Sequence, residues 1–188
     1  MARQRVSYKL AVAAVMSALA IVISLLRLEI PFYPLVFLKF DLAEIPSVMT
    51  FALVDARWSY LCALAHFLGL LARGSEPLGA SMKFLAVVSM LLGLQVARRR
   101  WKVALISAAL SRIAVMSVVN FVILGFLFPF WLDYSSALLA RAGLLVQGRE
   151  EAMAMTLLLI ALFNGLHVVL SVVPATLVTG KVRKALKL

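Results

Sequence analysis

The chain has 188 residues, 64% of them apolar, and a mean hydropathy of +1.05. Soluble domains are close to half apolar, so this composition excludes a water-soluble globular protein. The formal charge is +11, but the basic residues lie mainly in the gaps between apolar runs, which indicates membrane topology rather than nucleic-acid binding. About six membrane spans of roughly 20 residues fit into this length, and no length remains for a soluble catalytic domain.

Six apolar runs predict transmembrane helices at residues 8–28, 45–54, 59–72, 80–97, 103–128 and 154–178. The first follows a basic segment, but it is too long for a signal peptide and lacks a clean cleavage site, so we expect a retained helix. The second and third are short, and Asp55-Ala56-Arg57 between them predicts a tight turn, because one continuous helix would bury two charges. Short spans are tolerated where they line a cavity, so a binding site is expected near them. We expect one domain, an all-α integral membrane protein built as a six-transmembrane-helix bundle.

The basic residues alternate from gap to gap. Lys and Arg accumulate in cytoplasmic loops, so the pattern predicts a cell-membrane protein with both termini in the cytoplasm. The inner side is marked by Arg3, Arg5, Lys9, Arg57, Arg98, Arg99, Arg100, Lys102, Lys181, Arg183, Lys184 and Lys187. The outer gaps hold Arg27, Lys39, Arg73, Arg141 and Arg149, diluted by Glu29, Asp41, Glu44, Glu76, Asp133, Glu150 and Glu151.

The two outer connections, residues 28–44 and 129–151, are long and rich in aromatic residues. Interfacial anchoring explains some of these rings, but long loops over short spans are also typical of a lid over an outward-facing pocket. Within the second connection, residues 135–146 predict an amphipathic helix. Rings available for stacking on a ligand include Phe32, Tyr33, Phe40 and Trp131.

Polar side chains converge in the outer halves of the last three spans. Lys83, Asn120, Asn164 and His167 have similar predicted depths, which favours a binding site over independent interhelical hydrogen bonds. Snorkelling of Lys83 to the interface is the alternative for that residue. Arg112 lies deeper, so we expect it to face a neighbouring helix, a cavity or another subunit, because ionisable groups at membrane depth are costly.

The sequence lacks the usual catalytic and metal-binding patterns. No Gly-rich phosphate loop or nucleophile elbow is present, so energy for active transport would come from a partner or a gradient. His66 and His167 lie far apart in the sequence, which argues against a metal, and both could form interhelical hydrogen bonds. Cys62 lies in an apolar run and predicts a buried apolar residue. We therefore expect no enzymatic activity, metal or cofactor.

The first span carries small residues on one face, at Ser7, Ala11, Ala14 and Ala18. Such stripes let helices approach closely in lipid. The stripe could pack inside the bundle or form an interface with another protein.

With six spans, an Ala14-x-x-x-Ala18 pair and a proline-bearing first loop, the chain resembles the substrate-binding S components of energy-coupling factor (ECF) vitamin transporters, and the riboflavin type in particular. The resemblance covers nearly the whole chain. Residues 39–47, KFDLAEIPS, are similar to the family pattern L-D-[FL]-[SA]-[DE]-[VI]-P-[SA], and the further similar segments are GSEPLG at 74–79, Asn120-Phe121 and Phe163-Asn164.

The resemblance implies a vitamin receptor whose first loop roofs an outward pocket. Its first span would dock on a membrane-embedded T component driven by two cytoplasmic ATPase subunits, through Ala14 and Ala18 with the adjacent Ala11. Riboflavin would be the transported ligand, not a cofactor. The candidate ligand-binding residues are Asn120, Asn164, His167, Lys83, Phe40, Glu44, Tyr33 and Trp131.

Several positions depart from the family pattern. His167 replaces a usual lysine, Lys83 replaces an asparagine, His66 replaces another lysine, and Arg112 has no counterpart. An added cation near the pocket would suit an anionic ligand such as pantothenate or a flavin phosphate. The alternatives are therefore an S component for another vitamin or precursor, and a structural membrane subunit without transport function.

Overall fold

The computed structural model describes residues 2–97 and 100–186. Arg98, Arg99 and Lys187, which belong to the predicted charge pattern, lie outside these residues. The described elements are seven α-helices and one two-stranded hairpin. In chain order they are α1 (Ala2–Leu25), β1 (Glu29–Pro31), β2 (Lys39–Asp41), α2 (Ile45–Leu53), α3 (Ala56–Ala72), α4 (Pro77–Val96), α5 (Trp101–Val122), continued by a π-helical segment (Ile123–Leu127), α6 (Phe130–Arg141) and α7 (Arg149–Leu186).

The helices form a closed ring. Helices α2, α3, α4, α5 and α7 each pack against the next, and α7 closes the ring on α2. Helix α1 packs on the outside, against α2 and α3, and α6 packs against α7. The antiparallel hairpin pairs Ile30 with Phe40 and lies in the connection between α1 and α2. The ring encloses the polar side chains described below.

Each predicted span coincides with a separate helix, although the bounds differ. Helix α1 already ends at Leu25, and α7 extends well beyond residues 154–178 at both ends. Among the described residues, four helical stretches are long and apolar enough to cross a membrane, namely Val6–Leu25, Pro77–Val96, Trp101–Leu127 and Arg149–Ala185. Helices α2 and α3 are shorter than this, as the sequence indicates. The predicted amphipathic helix is present as α6, which begins and ends earlier than expected.

A tight turn separates α2 from α3. Asp55 caps α3, where its Oδ1 accepts hydrogen bonds from the backbone N–H groups of Arg57 and Trp58; such a cap satisfies donors that the first turn of a helix leaves free. Lys9 of α1 forms an ion pair of 2.8 Å with Asp55, and Arg183 of α7 donates to the carbonyl oxygen of Ala52. The α2–α3 turn and the two terminal helices therefore meet at one end of the bundle, and the hairpin lies at the other.

Helices α4 and α5 approach closely at Gly93. A Cβ atom at this position would lie 2.4 Å from the Ser107 carbonyl oxygen and 2.5 Å from the Ala108 Cα. Small residues permit such contacts between membrane helices. The apolar core extends from this contact to Met90, Leu91 and Val172.

The three alanines of the small-residue stripe lie on an exposed face of α1. Ala11, Ala14 and Ala18 are exposed, whereas the buried alanines of this helix are Ala13 and Ala20. The exposed alanines Ala11, Ala14 and Ala18 do not pack inside the bundle and are available to lipid or to another protein.

Candidate functional site

A cavity of about 500 Å³ lies at the hairpin end of the bundle. Its walls come from the hairpin, from the α3–α4 connection, from α4, α5 and α7, and from Trp131 on α6. Small-molecule sites commonly have volumes of roughly 300–1,000 Å³. The cavity is therefore large enough for a vitamin-sized ligand.

Most of the predicted ligand-binding residues line this cavity, namely Asn120, Asn164, His167, Lys83, Glu44 and Trp131. Tyr33 and Phe40 are not among its lining residues. The Tyr33 side chain is directed outward and is 71% exposed. The Phe40 ring packs behind the wall, with its centroid 4.7 Å from that of Phe163 and 5.5 Å from that of His167. Phe163, which was not among the candidate ligand-binding residues, lines the cavity.

Arg112 lies at the centre of a buried polar cluster and is only 2% exposed. Its guanidinium binds both carboxylate oxygens of Glu44, with Nη1–Oε2 at 2.5 Å and Nη2–Oε1 at 3.0 Å. Its Nε donates to Asn164 Oδ1 at 2.9 Å, and Nη2 also donates to His167 Nδ1 at 3.1 Å. Ser171 Oγ donates to Glu44 at 3.1 Å. A bidentate pair of this kind is strong and directional.

The hydrogen bonds of His167 determine its protonation. Because Arg112 can only donate, His167 Nδ1 must accept, and the ring proton must be on Nε2. Nε2 then donates to the carbonyl oxygen of Asp41 at 3.1 Å. His167 is therefore neutral, and both of its ring nitrogens bind protein atoms rather than facing a ligand.

Lys83 and Arg112, two basic residues inside predicted spans rather than in the gaps between them, are each paired with a carboxylate. Lys83 binds the carboxylate of Asp41, and Arg112 binds that of Glu44. Both carboxylates belong to the segment 41–44, which the sequence places in the outer connection just before the second span, so acids were available near the predicted outer ends of the spans. Neither of these two cations is left without a counter-ion.

The mouth of the cavity carries further charges. Lys39 and Glu29 of the hairpin form an ion pair of 2.8 Å, and the hydrogen bond from Lys39 holds the pKa of Glu29 below its ordinary value. Arg73 donates to Ser75 Oγ at 2.9 Å. The charged residues that line the cavity balance each other; they are Glu29, Asp41, Glu44 and Glu76 against Lys39, Arg73, Lys83 and Arg112.

The two asparagines differ in the capacity that they leave for a ligand. Asn164 donates to the Ile160 carbonyl oxygen at 2.8 Å and accepts from Arg112. Asn120 donates to the Met116 carbonyl oxygen at 2.7 Å, and within the described part of the chain this is the one hydrogen bond of its side chain. Its Oδ1 and second N–H are free to pair with a ligand. Asn120 lies three residues before the start of the π-helical segment, whose Ile123 also faces the cavity.

The remaining candidates lie elsewhere. His66 forms a 2.7 Å hydrogen bond with Ser24 Oγ. This bond joins α3 to α1 and is the interhelical hydrogen bond that the sequence allowed. Cys62 is buried, as expected. Within residues 2–97 and 100–186, no group of three or more His, Cys, Asp or Glu side chains could hold a metal ion.

Comparisons with known proteins identify the fold. No family model matches the chain, and no curated protein matches it in sequence. A solved structure described as "Structure and mechanism of the S component of a bacterial ECF transporter" is similar to it, with a TM-score of 0.74 and 19% sequence identity over 97% of this chain and 99% of that one. The chain has the fold of an ECF S component. This confirms the fold that the resemblance implied, whereas the riboflavin type stays a prediction.

Proposed function

We propose that the protein is the substrate-binding S subunit of an ECF-type importer, and that it captures riboflavin or a related uncharged flavin for uptake. The observation that carries this proposal is the cavity of about 500 Å³ beneath the hairpin, in a bundle with the S-component fold. A purely structural subunit would have no need for such a cavity. Transport would be driven by a membrane-embedded T component and two ATPase subunits.

The charge balance of the cavity supports an uncharged ligand. Arg112 and Lys83 are each paired with a carboxylate, and an anionic ligand would have to compete with these carboxylates. Pantothenate and flavin phosphate are therefore less suitable than riboflavin.

The shape and chemistry of the walls also suit a flavin. Phe163 and Trp131 offer rings for stacking, and these face the cavity together with the amide of Asn120. The free acceptor and donor of this amide complement the alternating C=O and N–H groups of a flavin ring.

In the membrane topology that we propose, the cavity opens toward the outside of the cell. Lys9 and Arg183 lie together at the end of the bundle opposite the cavity, and basic residues accumulate on the cytoplasmic side. Both termini would then be cytoplasmic. The exposed face of α1 at Ala11, Ala14 and Ala18 would contact the T component, because small residues permit close helix packing in lipid.

The test is a binding measurement on purified protein. Protein from riboflavin-containing medium should carry a flavin absorption spectrum, and the flavin-free protein should bind riboflavin more tightly than flavin phosphate or pantothenate. Asn120→Ala should weaken riboflavin binding by about tenfold, as loss of one or two neutral hydrogen bonds would. Gln95→Ala removes an amide at the far end of α4, where it accepts from Tyr60, and should leave binding unchanged.

A colourless protein that binds no riboflavin at micromolar concentration would refute the flavin assignment. Tighter binding of pantothenate would identify another vitamin. Equal losses in the Asn120 and Gln95 variants would show that the cavity is not the binding site.

A further inference from the structure

Arg112 lines the cavity but has no donor left for a ligand. A guanidinium carries five N–H groups. Nε donates to Asn164, the two groups on Nη1 face Glu44 and the Met90 sulfur, and the two on Nη2 face Glu44 and His167. The role of Arg112 must therefore be exerted through these partners.

One of these partners connects Arg112 to the hairpin. Arg112 donates to His167 Nδ1, which leaves the proton on Nε2, and Nε2 donates to the carbonyl oxygen of Asp41, the last residue of β2. Without the bond from Arg112, either nitrogen of the neutral ring could carry the proton, and in one of these two forms His167 could not donate to β2.

The connection between β1 and β2 is anchored independently of Arg112. Leu35 is fully buried among residues of α6 and α7, and the Phe37 ring centroid lies 6.0 Å from that of Trp131.

The end of β2 has its own contacts with the walls of the cavity. Besides the bond from His167, Lys83 of α4 binds the Asp41 side chain, and the Phe40 ring packs on Phe163 of α7. These three contacts hold the end of β2. A change in the bond from His167 should therefore affect the end of β2, whereas the connection keeps its own anchors.

We propose that Arg112 is a positioning residue for the hairpin: it contacts no ligand, holds His167 as a donor to the Asp41 carbonyl oxygen, and thereby keeps β2 closed over the cavity. The consequence for ligand release rests on the proposed function, because it requires a ligand beneath the hairpin. Loss of this link should raise the dissociation rate of the ligand more than it lowers the association rate.

The test uses a spin label at the end of β2 in the full-length protein without ligand. Leu42→Cys provides the site, since Leu42 follows Asp41 directly and is 46% exposed, and Cys62→Ala removes the single native cysteine. Three variants are compared in this background. His167→Asn retains an acceptor near Nδ1 and loses the donor to Asp41, whereas His167→Gln retains a donor near Nε2. Arg112→Lys keeps the charge opposite Glu44, which preserves folding, but loses the planar fork that reaches His167.

The label should become more mobile in His167→Asn and Arg112→Lys and should stay close to the parent protein in His167→Gln. In the same two variants, the dissociation rate of bound riboflavin should rise by about 2- to 10-fold, as expected for one lost neutral hydrogen bond. Equal mobility in all proteins, or equal effects of the Asn and Gln substitutions, would overturn the proposal. A rigid hairpin in Arg112→Lys alone would overturn the role of Arg112. These spectra require no ligand, so a failure to bind riboflavin would refute the proposed function without bearing on this result.

Discussion

The strongest quantitative prediction concerns the buried ion pair between Glu44 and Arg112. Their side chains are 1% and 2% exposed and are joined by two hydrogen bonds. We consider Glu44→Gln, Arg112→Met and the double variant. Each single substitution leaves one charge buried without its counter-ion, and the double substitution removes both charges.

The expected free energies follow from this geometry. A buried ion that loses its partner costs about 3–5 kcal/mol of stability, whereas replacing both members of a pair is often close to neutral. The double variant also removes the donor to Asn164 and to His167, which costs about 1–3 kcal/mol. The double variant should therefore be no less stable than either single one, with a coupling energy of at least about 3 kcal/mol.

The measurement is equilibrium unfolding of the four proteins in mixed micelles, and the pair between Lys9 and Asp55 provides the control cycle. Those side chains are 38% and 26% exposed, so Lys9→Met and Asp55→Asn should show a coupling of only about 0.2–1 kcal/mol. Effects of the Glu44 and Arg112 substitutions that add to within about 0.5 kcal/mol would refute the assignment of a mutually dependent buried pair.

Two further predictions concern helix contacts. Gly93→Ala should destabilise the bundle by about 1–3 kcal/mol or more in unfolding experiments, because its Cβ would overlap the backbone of α5 at Ser107. Gly180→Ala is the control and should be neutral or stabilising, since a Cβ there meets nothing within 4 Å. Similar costs at both positions would contradict the close approach of α4 and α5. Replacement of Ala14 and Ala18 by Leu should abolish uptake by cells while leaving riboflavin binding by the purified protein intact, and a loss of binding would contradict a docking role for this face.

The positions of the helices could be predicted from the sequence because membrane insertion depends on local composition. A membrane helix satisfies its backbone hydrogen bonds within its own segment, so each apolar run specifies its own secondary structure. The separation of α2 from α3 was also local, since Asp55 caps the following turn. The exact ends of the helices were harder to predict from the sequence, because α7 continues beyond its apolar run into polar residues.

The candidate site was only partly predictable. The depth of Asn120, Asn164 and His167 follows from helical rise, and all three do line one cavity. The roles of these residues could not be predicted equally well from the sequence. His167 has no ring nitrogen free for a ligand, and this depends on its partners, Arg112 and Asp41, which lie 55 and 126 residues away in the chain. Trp131 faces the cavity whereas Tyr33 does not. Tyr33 lies in an irregular segment, which has no period from which the direction of a side chain follows.

The sequence by itself thus determined the membrane class, the order of the helices and the segregation of basic and acidic gaps, because these depend on composition along the chain. Only the tertiary structure decided which charges neutralise each other. Glu44 and Arg112 are 68 residues apart, and Lys83 and Asp41 are 42 apart. The closed ring brings them together, and this pairing gives both Lys83 and Arg112 a counter-ion within the cavity.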